Sequence, residues 1–233
     1  MRSGGLGEAT AWLCLREEIY VSLLTQKSIR SSLDTFEGAS WVQGDSDAAW
    51  ANRMVLLLAQ MLVHVFDTTV DTGAVGEMKD RITDWYRSKP HSFEPIYYQR
   101  RNLAAGRPLP EIWMLASFHA VAVQYYHIAQ LVLTVSVQMS SSRFLEYLHE
   151  HRAIEQRVRQ HLLHVVGIAA SNKHAQNTWF TAHHCLAVWG GSLRRQTDQE
   201  ACLDFLRRME HKTGWRVAAL VGRLSSQWYD DSE

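Results

Sequence analysis

Three features of the sequence predict an all-α fold. Ile112 to Ser142 runs 31 residues without Lys, Arg, Asp or Glu. A helix that long and free of charge is buried on nearly all sides, because a surface helix keeps charge on its wet face. Elsewhere apolar residues recur at helical spacing, and no segment shows strand-like alternation bounded by turn pairs. The 4 Pro all fall between Pro90 and Pro110, so the rest of the chain is free of this helix breaker. The expected architecture is a single compact domain over 1–233, with seven or eight helices around a central buried helix at about 112–139.

Taken in order, Gly4, Gly5 and Gly7 give a flexible start, and Ala11, Leu15, Ile19 and Leu23 then mark the first helix. From Thr25 to Asp47 the periodicity fails and Ser, Gly and Asp accumulate, which predicts a surface loop with room for a short helical turn. Asp45 or Asp47 is placed to cap a second helix, Ala48 to about Phe66. Val75 to about Arg87 forms a third, solvated along Glu77, Lys79, Asp80, Arg81 and Asp84. The segment from Pro90 to Pro110 is irregular, yet Phe93, Ile96, Tyr97 and Tyr98 predict that it packs against the body. Ser140, Ser141 and Ser142 end the central helix and cap the next, Arg143 to about Ser171. A helix from Ala175 to about Trp189 is stopped by Gly190 and Gly191. Thr197 with Glu200 three residues later is a capping-box signature for a helix to about His211, and the last helix runs from Trp215 to about Trp228.

At 100° per residue the central helix has two unlike halves. Leu115, Phe118, Val121, Ala122, Tyr125, Ile128, Ala129 and Val132 form one; His119, Gln124, Tyr126, His127, Gln130, Thr134 and Gln138 form the other. A buried arc of neutral hydrogen-bonding groups must find partners in neighbouring helices, trapped water or a bound small molecule. The candidate ligand-binding residues are Trp113, His119, Gln124, Tyr126, His127 and Gln130, with His183 from a helix expected to face them. Replacing His127 by Ala is expected to alter ligand response more than stability.

Bulk properties restrict the partners. The 24 Lys and Arg balance the 24 Asp and Glu, so the chain exerts no global pull on nucleic acid or an anionic membrane. Cys14, Cys185 and Cys202 are too few for a disulfide framework, and the start lacks a basic region followed by an apolar core. An intracellular protein, nuclear or cytoplasmic, with reduced thiols is expected. Two His, three Gln and two adjacent Tyr within the charge-free stretch favour a core helix over a membrane span.

The 12 His invite a search for metal ligands. His161 and His164 are three apart, His149 and His151 two, and His183 and His184 adjacent, whereas helical chelation wants four. A di-iron bundle needs two Glu-x-x-His pairs and only Glu146 with His149 fits, so no metal and no cofactor is expected. Phosphate loops and nucleophile elbows are absent. His119, His127 and His183 or His184 are neutral imidazoles placed for general-base work or for core hydrogen bonds. The nine Trp suit core packing or a pocket wall, and Arg100-Arg101, Arg194-Arg195 and Arg207-Arg208 are expected to be solvated.

A set of words in fixed order adds to this. Trp12-Leu13-Cys14-Leu15-Arg16, Ile19-Tyr20, Trp50-Ala51-Asn52-Arg53, Trp85, Lys89-Pro90, Ile112-Trp113, Gln124-Tyr125-Tyr126-His127 and Gly167-Ile168-Ala169 with Asn172 occur in turn. The set resembles the regulatory (middle homology) domain of fungal zinc-binuclear-cluster transcription factors, over roughly Gly5 to Trp228. The resemblance implies an α-helical region that follows a DNA-binding zinc cluster and serves regulation, dimer contacts and, in some members, small-molecule response. The six clustered Cys of the DNA-binding module do not occur in this sequence, so no direct nucleic acid contact is expected from it. No catalytic residues carry over, since the family has none. The expected function is a regulatory or effector-binding domain acting through a small molecule, a protein partner or a homodimer. The alternatives are a cofactor-free cyclase or isomerase of fungal secondary metabolism and a purely structural dimerisation module.

Overall fold

The computed structural model describes residues 5–67, 72–136 and 144–230. Helices dominate these residues, with one two-stranded antiparallel sheet, so the fold is all-α. Helix α1 (Leu6–Thr25) buries Trp12, Leu15, Ile19, Tyr20 and Leu23 along one stripe. The stretch expected as a loop holds two single-turn helices, α2 (Asp34–Glu37) and α3 (Ser40–Gln43). Helix α4 (Asp47–Val65) is capped by Ser46, not by Asp45 or Asp47. Ser46 is extended and its Oγ accepts from the Ala49 amide at 3.2 Å, which leaves Asp47 free for a longer-range contact. Every residue from Met54 to Leu62 is buried, so α4 is enclosed all round. It is the helix among the described residues that is long and apolar enough to cross a membrane, and α1, α5 and α6 cover it. Helix α5 (Thr72–Ser88) buries Val75, Met78, Ile82 and Trp85, with its charged side outward as expected.

The Pro90–Pro110 segment packs down, but by a device that its sequence did not announce. A 3-10 turn (His91–Phe93) seats Phe93 in the core, and β1 (Tyr97–Gln99) pairs antiparallel with β2 (Glu111–Trp113), Tyr98 opposite Ile112. The central helix α6 therefore spans Ser117–Ser136 and does not start at Ile112. The reason lies in α7 (Phe144–Ser171), whose last turn meets the backbone of β2. Met114 donates to Asn172 Oδ1 at 2.8 Å, Asn172 Nδ2 donates to Ile112 O at 2.7 Å, and the Ile112 amide donates to Ser171 Oγ at 3.1 Å. Those bonds hold residues 112–114 extended. The expected end of the central helix at about 139, and the capping by Ser140 to Ser142, lie outside the described residues.

Helix α8 (Asn177–Trp189) runs into a 3-10 turn at Gly190–Ser192. Helix α9 (Gln196–Thr213) follows Arg195 as its N-cap residue, with no side-chain cap, so Thr197 sits inside it and the capping box does not form. Helix α10 (Ala218–Asp230) starts three residues later than Trp215. Residues 214–217 instead make the α9–α10 junction, opened by Gly214 at φ 71, a left-handed conformation that glycine adopts without strain. Helix α6 packs chiefly on α4 and α7 and touches α5 and α8. The buried apolar residues form one cluster from Trp12 to Trp228.

Candidate functional site

Most of the polar arc on α6 is spent on holding helices together. His119 is buried, and its Nε2 lies 2.9 Å from Asp47 Oδ2, joining the first turns of α6 and α4. That hydrogen bond holds the Asp47 carboxyl below the usual carboxylate range. The rings of Phe93 and Phe118 close edge-on over the imidazole, at 4.5 and 4.4 Å. Gln124 is fully buried, and its amide nitrogen donates to Val165 O at 3.0 Å and Thr178 O at 2.9 Å, tying α6 to α7 and α8 at once. Tyr126 is half-buried and stacks on Tyr86 at 4.1 Å, with the Lys89 ammonium 4.2 Å from the far Tyr86 ring. Gln130 is half-buried one turn further on, and its backbone carbonyl accepts from Thr134 Oγ1 at 2.6 Å.

His127 meets two histidines that spacing arguments set aside. Its Nδ1 lies 2.9 Å from His161 Nδ1, and its ring stacks on His164 with centroids 4.7 Å apart. One imidazole of the bonded pair carries a proton on Nδ1 and the other accepts. Burial, then the neighbouring imidazoles, pushes the His127 pKa well down; burial, His164 and Arg157 bring His161 to about 4; burial also lowers His164. All three are neutral near pH 7. Among the described residues no group of three or more His, Cys, Asp or Glu is arranged to hold a metal ion. The signal for this trio was present in the sequence, since positions 161 and 164 share a helix face.

The apolar half of α6 carries a polar contact too. Tyr125 is fully buried and donates to Tyr20 OH at 3.1 Å, which in turn lies 2.7 Å from Thr181 Oγ1, linking α6, α1 and α8. Burial raises both phenol pKa values. In contrast Leu115 and Phe118, expected to be buried, are 63% and 39% exposed: Leu115 lies ahead of α6 and Phe118 in its first turn.

The seven expected site residues do not converge. The arc from His119 to Gln130 lies on α6, with Phe93 and Trp85 linking the His119 and Tyr126 rings. Trp113 is on β2, half exposed, 5.3 Å from Tyr97 across the hairpin. His183 faces the α9–α10 junction rather than α6. There it lines an open cleft of about 570 Å³ with Ala187, Trp215, Arg216, Ala219, Leu220 and Arg223. The His183 Nδ1 is buried without a hydrogen-bond partner among the described residues, and burial, then His184 and Arg223, lower its pKa to about 4. Trp215, Arg216 and Arg223 are not among the expected site residues, because only the junction between helices brings them beside His183.

A second open cleft, about 770 Å³, lies between α4 and α5 and is lined by Trp50, Arg53, Gln60, Arg81, Asp84 and Trp85 together with Glu37 and Gln43. Its polar groups largely engage one another. Arg53 stacks on Trp50 at 4.6 Å and donates to Val42 O and Gly44 O; Gln60 donates to Glu37. Arg101, expected to be solvated, forms with Arg159 a clamp on the fully buried Asp198, fastening the β-hairpin loop to α7 and α9.

No family model, curated protein or solved structure matches the chain.

Proposed function

We propose that this chain is the regulatory, effector-binding domain of a fungal regulator of the zinc-binuclear-cluster type, acting through a small molecule or a protein partner. The observation that carries this reading is where the words of the resemblance fall. Tyr20 and Tyr125 bond to each other, Gln124 staples three helices, and Asn172 clasps β2. Gly167 lies so close to the hairpin that a Cβ there would meet Pro110 O at 2.6 Å. These residues of the words are joints of the scaffold, which supports reading the resemblance as one of architecture, while Leu13, Cys14 and Trp113 of the same words are exposed.

Binding is favoured over the alternative of cofactor-free catalysis. His119 Nε2 and the Gln124 amide nitrogen are committed to Asp47 and to helix carbonyls, and the His119 Nδ1 and Gln124 Oε1 that these contacts leave over are buried in the core and not in a cleft. The open clefts lie away from them.

The test is a fusion of the whole chain to an unrelated DNA-binding domain, read on a fungal reporter gene. Output that differs from that of the DNA-binding domain alone, and is restored by deleting the chain, is expected. Identical output with and without the chain overturns the reading.

A further inference from the structure

The cleft beside His183 is the place where unspent binding groups collect. Its apolar lining is the half-buried Ala187, the exposed Ala219 and the buried Leu220, and Trp215 is 45% exposed at its edge. The Trp215 ring meets Phe180 edge-on at 5.3 Å and His183 at 6.2 Å, so the indole is held upright by its neighbours. Two guanidinium groups border this surface. Arg223 donates to Ala187 O at 2.9 Å with one nitrogen, and Arg216 has no partner among the described residues. A guanidinium offers five N–H donors, so most of this donor capacity is open. Among the described residues no carboxylate lines the cleft, and the near acid Glu210 accepts from the Val217 amide at 3.3 Å. His183 is neutral and offsets neither charge. In the other cleft Glu37 and Asp84 oppose Arg53 and Arg81, so it lacks this one-sided charge.

We propose that the His183–Trp215 cleft binds a flat, apolar small molecule bearing a carboxylate: the ring lies against Trp215 and Leu220, and Arg216 and Arg223 hold the anion. This inference rests on the effector-binding reading and names the effector's chemical class. The volume of about 570 Å³ suits a ligand of two or three fused rings. An Arg–carboxylate pair at the rim of an apolar floor is a directional, charge-assisted contact, which makes charge the discriminating feature.

The experiment is calorimetric titration of the full chain with 1-naphthoate, its neutral isostere 1-naphthamide, and acetate. Naphthoate is expected to bind saturably, about tenfold tighter than naphthamide, and acetate not at all. Arg216→Gln, at an exposed position, is expected to weaken naphthoate about tenfold and leave naphthamide unchanged. Arg223→Gln is expected to give the same loss. A folded Arg223→Gln that binds naphthoate as tightly as the parent chain removes Arg223 from the site and overturns the two-arginine assignment, and circular dichroism checks that each variant is folded. Equal affinity for naphthoate and naphthamide, absence of saturable naphthoate binding, or indifference of naphthoate to Arg216→Gln in a folded protein each overturns the proposal. A chain that fails these titrations yet alters reporter output in the fusion loses this cleft and keeps its regulatory role. One that binds naphthoate through Arg216 but leaves the reporter unchanged keeps the cleft and loses that role.

Discussion

At the scale of single residues, close approach and buried charge decide what can be changed. Gly167 sits in α7 where an added Cβ would come within 2.6 Å of Pro110 O and 2.8 Å of its ring, both attached to the hairpin that Asn172 clasps. Gly167→Ala must therefore move backbone, and a loss of about 1–3 kcal/mol is expected in urea unfolding. The matched control is Gly222→Ala in α10, where nothing lies within 4 Å; there a gain of about 0.5–1 kcal/mol is expected, because Ala is the better helix former. Asp198 is the other sensitive position. It is wholly buried and accepts from both Arg101 and Arg159, so Asp198→Ala leaves two partly buried guanidiniums facing each other. A loss of about 3 kcal/mol is expected, larger than for Arg101→Ala, which leaves the Arg159 pair intact. Equal losses in the two variants would overturn this, because the Arg159–Asp198 pair would then contribute nothing once Arg101 is gone.

At the scale of elements, the contact of α6 with α7 carries a pH dependence. His161 takes its proton at about 4 in the folded chain against an ordinary 6.5, and His127 and His164 are also lowered. A group whose folded pKa is depressed binds protons more readily when unfolded, so acid favours unfolding. The stability from this contact is complete above 6.5 and is lost as pH falls from 6.5 toward about 4. The urea midpoint should fall across that window, and His161→Gln should flatten the fall. An unchanged slope in the variant would remove the trio as its source. His127→Ala, expected from sequence to affect ligand response, now belongs with this contact: its imidazole lies between helices and lines neither cleft described above. The β1–β2 hairpin shows the same logic in backbone terms. Residues 112–114 are apolar enough for a helix, yet the Ile112 and Met114 amides and the Ile112 carbonyl are claimed by Ser171 and Asn172, and the Trp113 carbonyl accepts from the Ile96 amide.

At the scale of the whole molecule, one cluster of buried apolar side chains runs from Trp12 to Trp228 and α6 lies at its middle. Unfolding is expected to be a single cooperative transition, with helical circular dichroism and tryptophan fluorescence changing together; separate midpoints would mean two independent cores. The all-α class, the order of the helices and the burial of α6 were legible in the sequence, because 3.6-residue periodicity and a missing charge are local facts about which face meets water. Positions such as Leu15, Met54 and Ile128 needed no tertiary knowledge to be placed inside. What only the tertiary structure decided is where the polar groups find partners. Hydrogen bonds such as His119 to Asp47, His127 to His161 and Arg101 to Asp198 join residues 72, 34 and 97 positions apart. Periodicity says which way a side chain points and nothing about which distant group stands opposite. The cleft at His183 came from the same source: Trp215 and Arg216 reach it because Gly214 ends α9 and the chain turns back before α10 begins. A turn brings side chains from separate helices to one surface, and that meeting is a property of the packed chain alone.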